Sequence, residues 1–253
     1  MDDLREKACL VTGASTGIGA AVARALGSHG ASVAVHYHRS ADQARRVADD
    51  VRAAGGRSVV LQGDVGDPSV AGRLVADTVA AFGRLDVLIN NAGGPLRRTD
   101  FADVSDAFYD ELMNLNFRSV FATCRAAVPR FRGQGSGTII NTTSVAARHG
   151  GGPGALVYAA AKAAVSNLTR GLAKELAPHR IRVNAISPGV VLTPIHERLS
   201  TPAIMEAFVR QVPLGRAATA EECVGAFLFL ASDRLSSYVT GQVLEVNGGQ
   251  FMP

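Results

Sequence analysis

The sequence predicts an α/β fold, built on a parallel sheet with helices on both faces. Seven apolar runs of strand length alternate with longer amphipathic segments over the 253 residues. Such apolar runs are typical of strands buried on both faces, and their alternation with helices is typical of right-handed βαβ units. No linker, low-complexity tract or internal repeat divides the chain. We expect residues 1–253 to form one domain with a doubly wound, three-layer, seven-stranded parallel sheet.

Each element follows from the spacing of apolar positions. Strands are predicted at residues 8–11, 32–37, 58–62, 87–90, 138–142, 182–186 and 242–246. Helices are predicted at residues 18–29, 41–54, 69–82, 105–132, 156–177 and 221–231. The one long irregular region, at about 187–211, is interrupted by prolines but carries Ile195, Ile204, Met205 and Phe208. Long loops in compact domains often cover sites, so we interpret this region as a substrate lid.

Composition excludes several classes of protein. The chain is 47% hydrophobic and 19% charged, which is typical of a soluble globule. No apolar run has the roughly 18 to 20 residues that span a bilayer, and the start MDDLREKACL does not resemble a signal peptide. We therefore expect a cytoplasmic protein outside the membrane. The net charge of +4 comes from dispersed arginines, and aromatic residues are only 6%, so nucleic-acid binding is not expected.

The cysteines and histidines do not predict a metal site. Cys9, Cys124 and Cys223 are widely spaced and are interpreted as buried free thiols. His36 and His38 share one face of a predicted strand, but no third ligand follows at metal spacing. Two further histidines, at positions 149 and 196, border the expected cleft and are interpreted as surface residues.

The stretch TGASTGIG follows the first predicted strand and opens the first helix. Gly13, Gly17 and Gly19 allow a sharp turn and a close approach of the backbone to a pyrophosphate. The helix N-terminus adds free N–H donors and the positive end of its dipole. The alternative is a tight turn that binds nothing. Its position between strand and helix favours a dinucleotide site.

A second motif, NNAG at residues 90–93, ends the fourth predicted strand. By itself it is an ordinary turn. In open α/β sheets, however, ligands bind outside the carboxyl ends of the strands, near the switch in strand order. Both glycine motifs are predicted to lie at this edge.

The stretch YAAAK places Tyr158 and Lys162 on one face of a helix. The chain has only four tyrosines and three lysines, so this pair rarely arises by chance. A neighbouring ammonium and a cationic nicotinamide would lower the pKa of the phenol, and Tyr158 would then act as a general acid/base. The alternative is an ordinary surface pair. Ser144, just past the fifth strand, is placed to stabilise a substrate oxygen, and no GxSxG elbow supports it as a nucleophile.

Together, TGxxxGxG, NNAG, the serine, YxxxK and NAISPGVVLTP resemble the short-chain dehydrogenase/reductase family. The resemblance extends from Lys7 to the closing GQVLEVNGG, and it implies a Rossmann fold with strand order 3-2-1-4-5-6-7 and a homotetramer. Two departures are present. The interval from Ser144 to Tyr158 is one residue longer than usual, which the glycine-rich GGGPG is expected to absorb, and Asn247 stands in place of the usual aspartate near the C-terminus.

The resemblance also implies residue roles. Tyr158 would be the catalytic acid/base, Lys162 would lower its pKa and bind the nicotinamide ribose, Ser144 would orient the carbonyl, and Asn116 would hold a proton-relaying water. Asp64 and Val65 would meet adenine, Asn91, Ala92 and Gly93 would lie beside the adenosine ribose, and Val191 and Thr193 would contact the carboxamide and the phosphates. The phosphate-binding loop would comprise Gly13, Ser15, Thr16, Gly17, Ile18 and Gly19.

The end of the second strand, VAVHYHRS, bears on the choice of cofactor. An NAD enzyme usually places an acid there to accept from the ribose hydroxyls, but Tyr37 occupies that position. Arg39 offers a bidentate match to phosphate, and Ser40 and His38 add donors. The stretch therefore predicts a 2′-phosphate pocket and NADP(H). The alternative is that Arg39 stacks on adenine, which would permit NAD as well.

The sequence thus predicts an NADP(H)-dependent oxidoreductase that interconverts a carbonyl and a secondary alcohol. Its small-molecule substrate is not specified, although similarity to 3-oxoacyl-carrier-protein reductases favours a 3-oxoacyl thioester. Two alternatives stay open: a sugar or polyol dehydrogenase, and a non-catalytic dinucleotide-binding sensor.

Overall fold

The protein has one seven-stranded sheet in which every strand is parallel to its neighbours. The computed structural model describes residues 1–194 and 199–253. The strands are β1 Ala8–Val11, β2 Ser32–Tyr37, β3 Arg57–Gln62, β4 Val87–Asn90, β5 Gly137–Thr142, β6 Ile181–Pro188 and β7 Val243–Val246. Their order is β3-β2-β1-β4-β5-β6-β7. The predicted strand count, direction and order are confirmed.

Helices cover both faces of this sheet. They are α1 Gly17–Ser28, α2 Ala41–Ala53, α3 Pro68–Phe82, α4 Asp106–Met113, α5 Ser119–Gln134, α6 Ala146–His149, α7 Leu156–Leu176, α8 Pro202–Val209, α9 Glu221–Ala231 and α10 Asp233–Ser236. One core layer lies between the sheet and α1, α2 and α9, and the other lies beneath α3, α5 and α7. All three cysteines are buried as free thiols, as predicted. In the part of the chain that the structure describes, no helix is long and apolar enough to cross a membrane.

The helix predicted at residues 105–132 is interrupted. A π-helical turn, Asn114–Arg118, separates α4 from α5. The wide turn brings Asn116 inward, where its side-chain oxygen accepts from the Gly94 N–H at 2.8 Å and its Nδ2 donates to the Gly94 carbonyl at 2.9 Å. Such turns often occur at functional sites. The apolar period continues through the turn, so the sequence pattern does not reveal it.

The predicted irregular region contains regular structure at both ends. Strand β6 continues to Pro188, and residues 202–209 form α8. Thr201 caps α8, because its hydroxyl accepts from the Ile204 N–H at 3.3 Å. Ile204 and Phe208, four residues apart, share one face of this helix. Ile195 and His196 lie outside the described residues.

The strand order places the sequence motifs together. Strand β1 pairs with β2 on one side and with β4 on the other, so the direction of winding reverses there. The glycine-rich loop follows β1, NNAG ends β4, and Ser144 follows β5. Because all the strands are parallel, these segments meet at one edge of the sheet.

Candidate active site

A cavity of about 1100 Å³ runs along the carboxyl edge of the sheet. Most of the predicted site residues line it: Gly13, Ser15, Thr16, Gly17, Ile18, His38, Arg39, Ser40, Asp64, Asn91, Ala92, Gly93, Ser144, Tyr158, Lys162, Val191 and Thr193. The structure therefore brings the predicted cofactor loop and the predicted catalytic residues into one cavity.

Three predicted site residues stand behind its wall. Val65 is buried in the core beneath α3 rather than facing the cavity. Asn116 is fully buried, and its amide group is engaged with Gly94 and with the Leu112 carbonyl. Gly19 is buried in the first turn of α1, against the Gly13 carbonyl and the Asn91 side chain. These residues shape the wall of the site.

The glycine-rich loop is tied to the NNAG segment. The Thr12 hydroxyl accepts from the N–H groups of Asn91 and Ala92, at 3.0 and 3.1 Å. The Asn91 amide in turn donates to the Gly13 carbonyl at 3.1 Å. Gly13 has a φ of +63°, which the turn requires and which glycine adopts freely. Thr12 was not among the predicted site residues. Its position directly after a predicted strand could have indicated its role.

The first turn of α1 fits a pyrophosphate. Thr16 occupies the N-cap, but its side chain does not cap the helix, and the first turn carries no acid. The leading N–H groups and the positive end of the helix dipole are therefore available to an anion, without a competing side chain from this turn. The buried Thr142 hydroxyl, also in the cavity wall, has no hydrogen-bond partner within the described structure. Both observations are consistent with a dinucleotide in this cavity.

Gly19 provides a test of this packing. A Cβ at Gly19 would overlap the Gly13 carbonyl and lie 2.5 Å from the Asn91 amide nitrogen. We expect Gly19→Ala to destabilise the protein by about 1–3 kcal/mol through overpacking. Gly72→Ala on α3 is the matched control: nothing lies within 4 Å of that Cβ, so it should be neutral or stabilising by up to about 1 kcal/mol. Urea denaturation measures both, and a Gly19→Ala protein as stable as the wild type would contradict this account.

His36 belongs to the core and not to a phosphate or metal site. It is 1% exposed, whereas His38, beyond the end of β2, is exposed. Its Nδ1 accepts from the Gly13 N–H at 3.1 Å, which leaves Nε2–H to donate to the Gly63 carbonyl at 3.0 Å. The neutral ring thus holds the glycine-rich loop against the end of β3. The two histidines do not share a face as predicted, because the strand ends at Tyr37.

This arrangement predicts an acid-sensitive fold. Burial lowers the pKa of His36 from 6.5 to about 4. Protonation therefore favours the unfolded state: the stability given by the neutral ring is complete above pH 6.5 and is lost as the pH falls toward 4. Acidification from pH 7 to pH 5 should lower the free energy of unfolding of the wild-type protein. In His36→Gln this decrease should be smaller by about 2 kcal/mol.

Urea denaturation at the two pH values tests this expectation. His179→Gln, at an exposed histidine, serves as the control. If His36→Gln and His179→Gln lose the same stability on acidification, the acid sensitivity has another source.

Tyr158, Lys162 and Ser144 lie in the same cavity. Lys162 is 2% exposed, and its Nζ donates to the Thr142 carbonyl at 2.8 Å. Burial lowers the pKa of its ammonium from 10.5 to about 8. Nζ lies 5.9 Å from the centroid of the Tyr158 ring. The YAAAK spacing therefore forms a close pair facing the cavity, not a surface pair.

The pKa of Tyr158 differs from the sequence-based expectation. Burial raises it above its ordinary value of 10, and a hydrogen bond with the Ser144 side chain opposes this rise. The chain alone thus does not depress the pKa, because desolvation of the phenolate outweighs its polar neighbours. A depressed pKa requires an additional positive charge near the ring.

A buried polar network beneath the site was missed by the sequence analysis. The Asn90 amide donates to Asn141 Oδ1 at 2.9 Å and accepts from Thr123 at 2.7 Å, and the Asn141 amide donates to Thr169 at 3.0 Å. It joins β4 and β5 to α5 and α7. Satisfied buried networks specify one arrangement of their elements, so this one fixes the helix that carries Tyr158. Polar residues inside apolar runs were the available signal.

The end of the cavity at which we expect the substrate, called the substrate end, lies between α8 and the glycine-rich segment before α7. Gly150, Gly151 and Gly154 have φ values of +84°, +81° and +72°, so the extra residue of this interval is accommodated in a loop. Ile204 and Phe208 of α8 line the cavity. Met205 is not part of the lining, whereas the exposed His149 is.

The opposite end of the cavity holds the residues predicted to meet the 2′-phosphate. His38 Nε2 lies 3.8 Å from Asp64 Oδ2. Arg39 is exposed, and it forms no ion pair with any carboxylate in residues 1–194 and 199–253. Tyr37 packs against the core. Within the described chain, no cluster of three or more histidine, cysteine or acidic residues is arranged to hold a metal ion.

A cavity that joins the open N-terminus of a helix to a tyrosine–lysine pair is typical of a dinucleotide-dependent oxidoreductase. The family model described as Enoyl-(Acyl carrier protein) reductase matches residues 13–250. The 3-oxoacyl-(acyl-carrier-protein) reductase FabG of Staphylococcus aureus is 38% identical over 246 residues, 97% of this chain and 98% of that protein. The chain therefore belongs to the short-chain dehydrogenase/reductase family, and it is an enzyme.

Further relatives agree. The 3-oxoacyl-(acyl-carrier-protein) reductase of Synechocystis is 38% identical, and the alignment covers all of both chains. The crystal structure of an NADH-dependent reductase, A1-R′, responsible for alginate metabolism superposes with a TM-score of 0.92 at 38% identity, covering all of both chains. A short-chain dehydrogenase from Burkholderia cenocepacia in complex with NADP matches with a TM-score of 0.92 at 33% identity, covering 98% of this chain and 99% of the other.

Proposed function

We propose that this enzyme interconverts a carbonyl and a secondary alcohol with NADP(H) as cofactor. The observation that carries the proposal is the shared cavity of the glycine-rich loop and Tyr158, Lys162 and Ser144. A bound nicotinamide supplies or accepts the hydride. In the reducing direction, Tyr158 donates a proton to the carbonyl oxygen, which Ser144 holds by a hydrogen bond. Lys162 favours the phenolate through its positive charge, and Asn116 holds the Gly94 backbone in place.

The cofactor choice rests on the end of β2. No acid follows Val35 in this stretch; Arg39, His38 and Ser40 line the cavity instead. Arg39, which forms no ion pair with a carboxylate of residues 1–194 and 199–253, has a guanidinium that matches a 2′-phosphate. The relatives include structures with each cofactor, NAD in A1-R′ and NADP in the Burkholderia protein, so kinetics with both cofactors decides the preference.

For the substrate, we propose a 3-oxoacyl thioester first. The names of the curated relatives favour it, and Ile204 and Phe208 give the cavity an apolar side. We propose that the segment at about 187–211, which includes α8, acts as a lid over the substrate. The second candidate is a sugar or polyol, which the similarity to a reductase of alginate metabolism favours.

A carbonyl panel tests this proposal. NADPH oxidation is followed with 3-oxoacyl thioesters, simple ketones and keto sugars. Turnover of thioesters supports the first candidate, and turnover of sugars alone supports the second. Tight NADPH binding without turnover of any carbonyl would contradict the proposed activity and favour a dinucleotide sensor.

We also propose a cytoplasmic homotetramer. Exposed apolar side chains on α4, α5 and α7, including Tyr109, Phe121 and Leu156, are available for subunit contacts. The three buried free thiols are consistent with a reducing compartment. Light scattering in solution measures the subunit number, and a monomer would exclude this assembly.

A further inference from the structure

Arg98 connects three segments at the substrate end of the cavity. It lies in the loop that follows β4, lines the cavity and is partly exposed. Its Nη1 donates to the Pro153 carbonyl at 2.8 Å, in the loop before α7. Its guanidinium carbon lies 5.2 Å from the centroid of the Phe208 ring on α8. The side chain is thus held in one place by its neighbours.

These contacts leave donors of Arg98 unused. The Nε atom is shielded from solvent and has no hydrogen-bond partner among the residues that the structure describes. An aromatic ring interacts with the face of a guanidinium, so the donors at its edge keep their hydrogen-bonding capacity. An unpaired buried donor costs about 1–3 kcal/mol, so the fold keeps this side chain in place at a cost in stability.

The charges around Arg98 also favour an anion. Within residues 1–194 and 199–253, no carboxylate forms an ion pair with it. Among the described residues, the other ionisable side chains that line this end of the cavity are His149, Glu111 and the Tyr158–Lys162 pair. Arg98 lines the cavity, and the planar fork of donors of a guanidinium matches the two oxygens of a carboxylate or a phosphate.

We propose that Arg98 determines substrate specificity by binding an oxyanion on the substrate while the carbonyl faces Tyr158. This inference rests on the proposed reductase activity and deepens it. The shared chemistry is a carboxylate or phosphate group. It has two sources: the free carboxylate of a keto acid, or a phosphate of the carrier to which an acyl thioester is attached.

Matched pairs of probes distinguish these sources. Levulinate is compared with methyl levulinate, and acetoacetyl-coenzyme A is compared with acetoacetyl-N-acetylcysteamine, which lacks the phosphates. For each pair, the kcat/KM of the anionic probe is divided by the kcat/KM of the neutral probe. We expect Arg98→Gln to lower this ratio by about 10- to 100-fold for one of the two pairs. Arg98→Lys should give an intermediate ratio, since lysine keeps the positive charge but lacks the planar set of guanidinium donors.

Arg97→Gln is the control variant. Arg97 is exposed, stacks on Phe108 at 4.0 Å and is not part of the cavity lining, so this change should not alter either ratio. If Arg98→Gln lowers kcat/KM equally for the anionic and neutral members of both pairs, Arg98 only positions the surrounding loops and the proposal is wrong.

A binding measurement separates this inference from the reductase activity. In Tyr158→Phe with NADPH bound, the anionic member of one pair should bind at least about tenfold more tightly than its neutral partner, and Arg98→Gln should abolish that difference. Wild-type enzyme that reduces none of the probes would contradict the reductase activity, while the Kd ratio still decides the role of Arg98. Equal Kd values within both pairs would overturn the proposal.

Discussion

Replacing Tyr158 with phenylalanine should lower kcat by on the order of 10²- to 10⁴-fold, the usual contribution of a positioned acid or base. The change removes one hydroxyl and keeps the half-buried ring, so the shape of the cavity is retained. The Kd for NADPH should therefore change by less than about threefold, since the lost hydroxyl is worth at most one hydrogen bond. Stopped-flow or steady-state assays measure kcat, and fluorescence titration measures the Kd.

Tyr238→Phe is the matched control for this experiment. Tyr238 is fully exposed and does not line the cavity, so its substitution should leave kcat unchanged. A Tyr158→Phe enzyme that retains most of the wild-type kcat would exclude Tyr158 as the proton donor. Loss of NADPH binding in the same variant would instead indicate a cofactor-binding role.

The second large effect is expected at Arg39. A charge-assisted hydrogen bond to a 2′-phosphate contributes about 1.5–3 kcal/mol, so Arg39→Ala should lower kcat/KM for NADPH by about 10- to 150-fold. The kcat/KM for NADH should stay within about twofold of the wild-type value, because NADH lacks the 2′-phosphate and cannot form this contact. Initial rates with both cofactors at fixed carbonyl concentration measure the effect.

Arg46→Ala controls for the loss of one positive charge. Arg46 is exposed on α2 and does not line the cavity, so neither cofactor should be affected. Equal losses for NADPH and NADH in Arg39→Ala would assign Arg39 to stacking on adenine. A wild-type enzyme with no preference for NADPH would contradict the phosphate pocket itself.

The sequence by itself determined the sheet and the order of its motifs. Strand runs such as 87–90 are recognisable because a strand buried on both faces must be apolar throughout. The glycines of TGASTGIG and the YAAAK spacing are local features, and local backbone geometry dictates which residues they require. The parallel sheet then brings these motifs to one edge, so most of the candidate site follows from the printed residues.

Only the tertiary structure decided how VAVHYHRS is divided. His36 turns into the core and binds Gly13 and Gly63, whereas Arg39 faces the cavity. The sequence of this stretch does not show which histidine is buried and neutral and which is exposed, because burial depends on the loops that pack over the end of the strand. The elevated pKa of Tyr158 has the same origin, since burial is a property of the assembled fold.

The π-helical turn at Asn116 and the setting of Arg98 are also tertiary features. Asn116 is held by Gly94, 22 positions away along the chain, and Arg98 by Pro153, 55 positions away. A hydrophobic period reports which face of an element is buried, but not which distant backbone group a polar side chain meets. The sequence thus specified the position of the candidate site, and long-range packing specified the hydrogen-bond partners of its polar side chains.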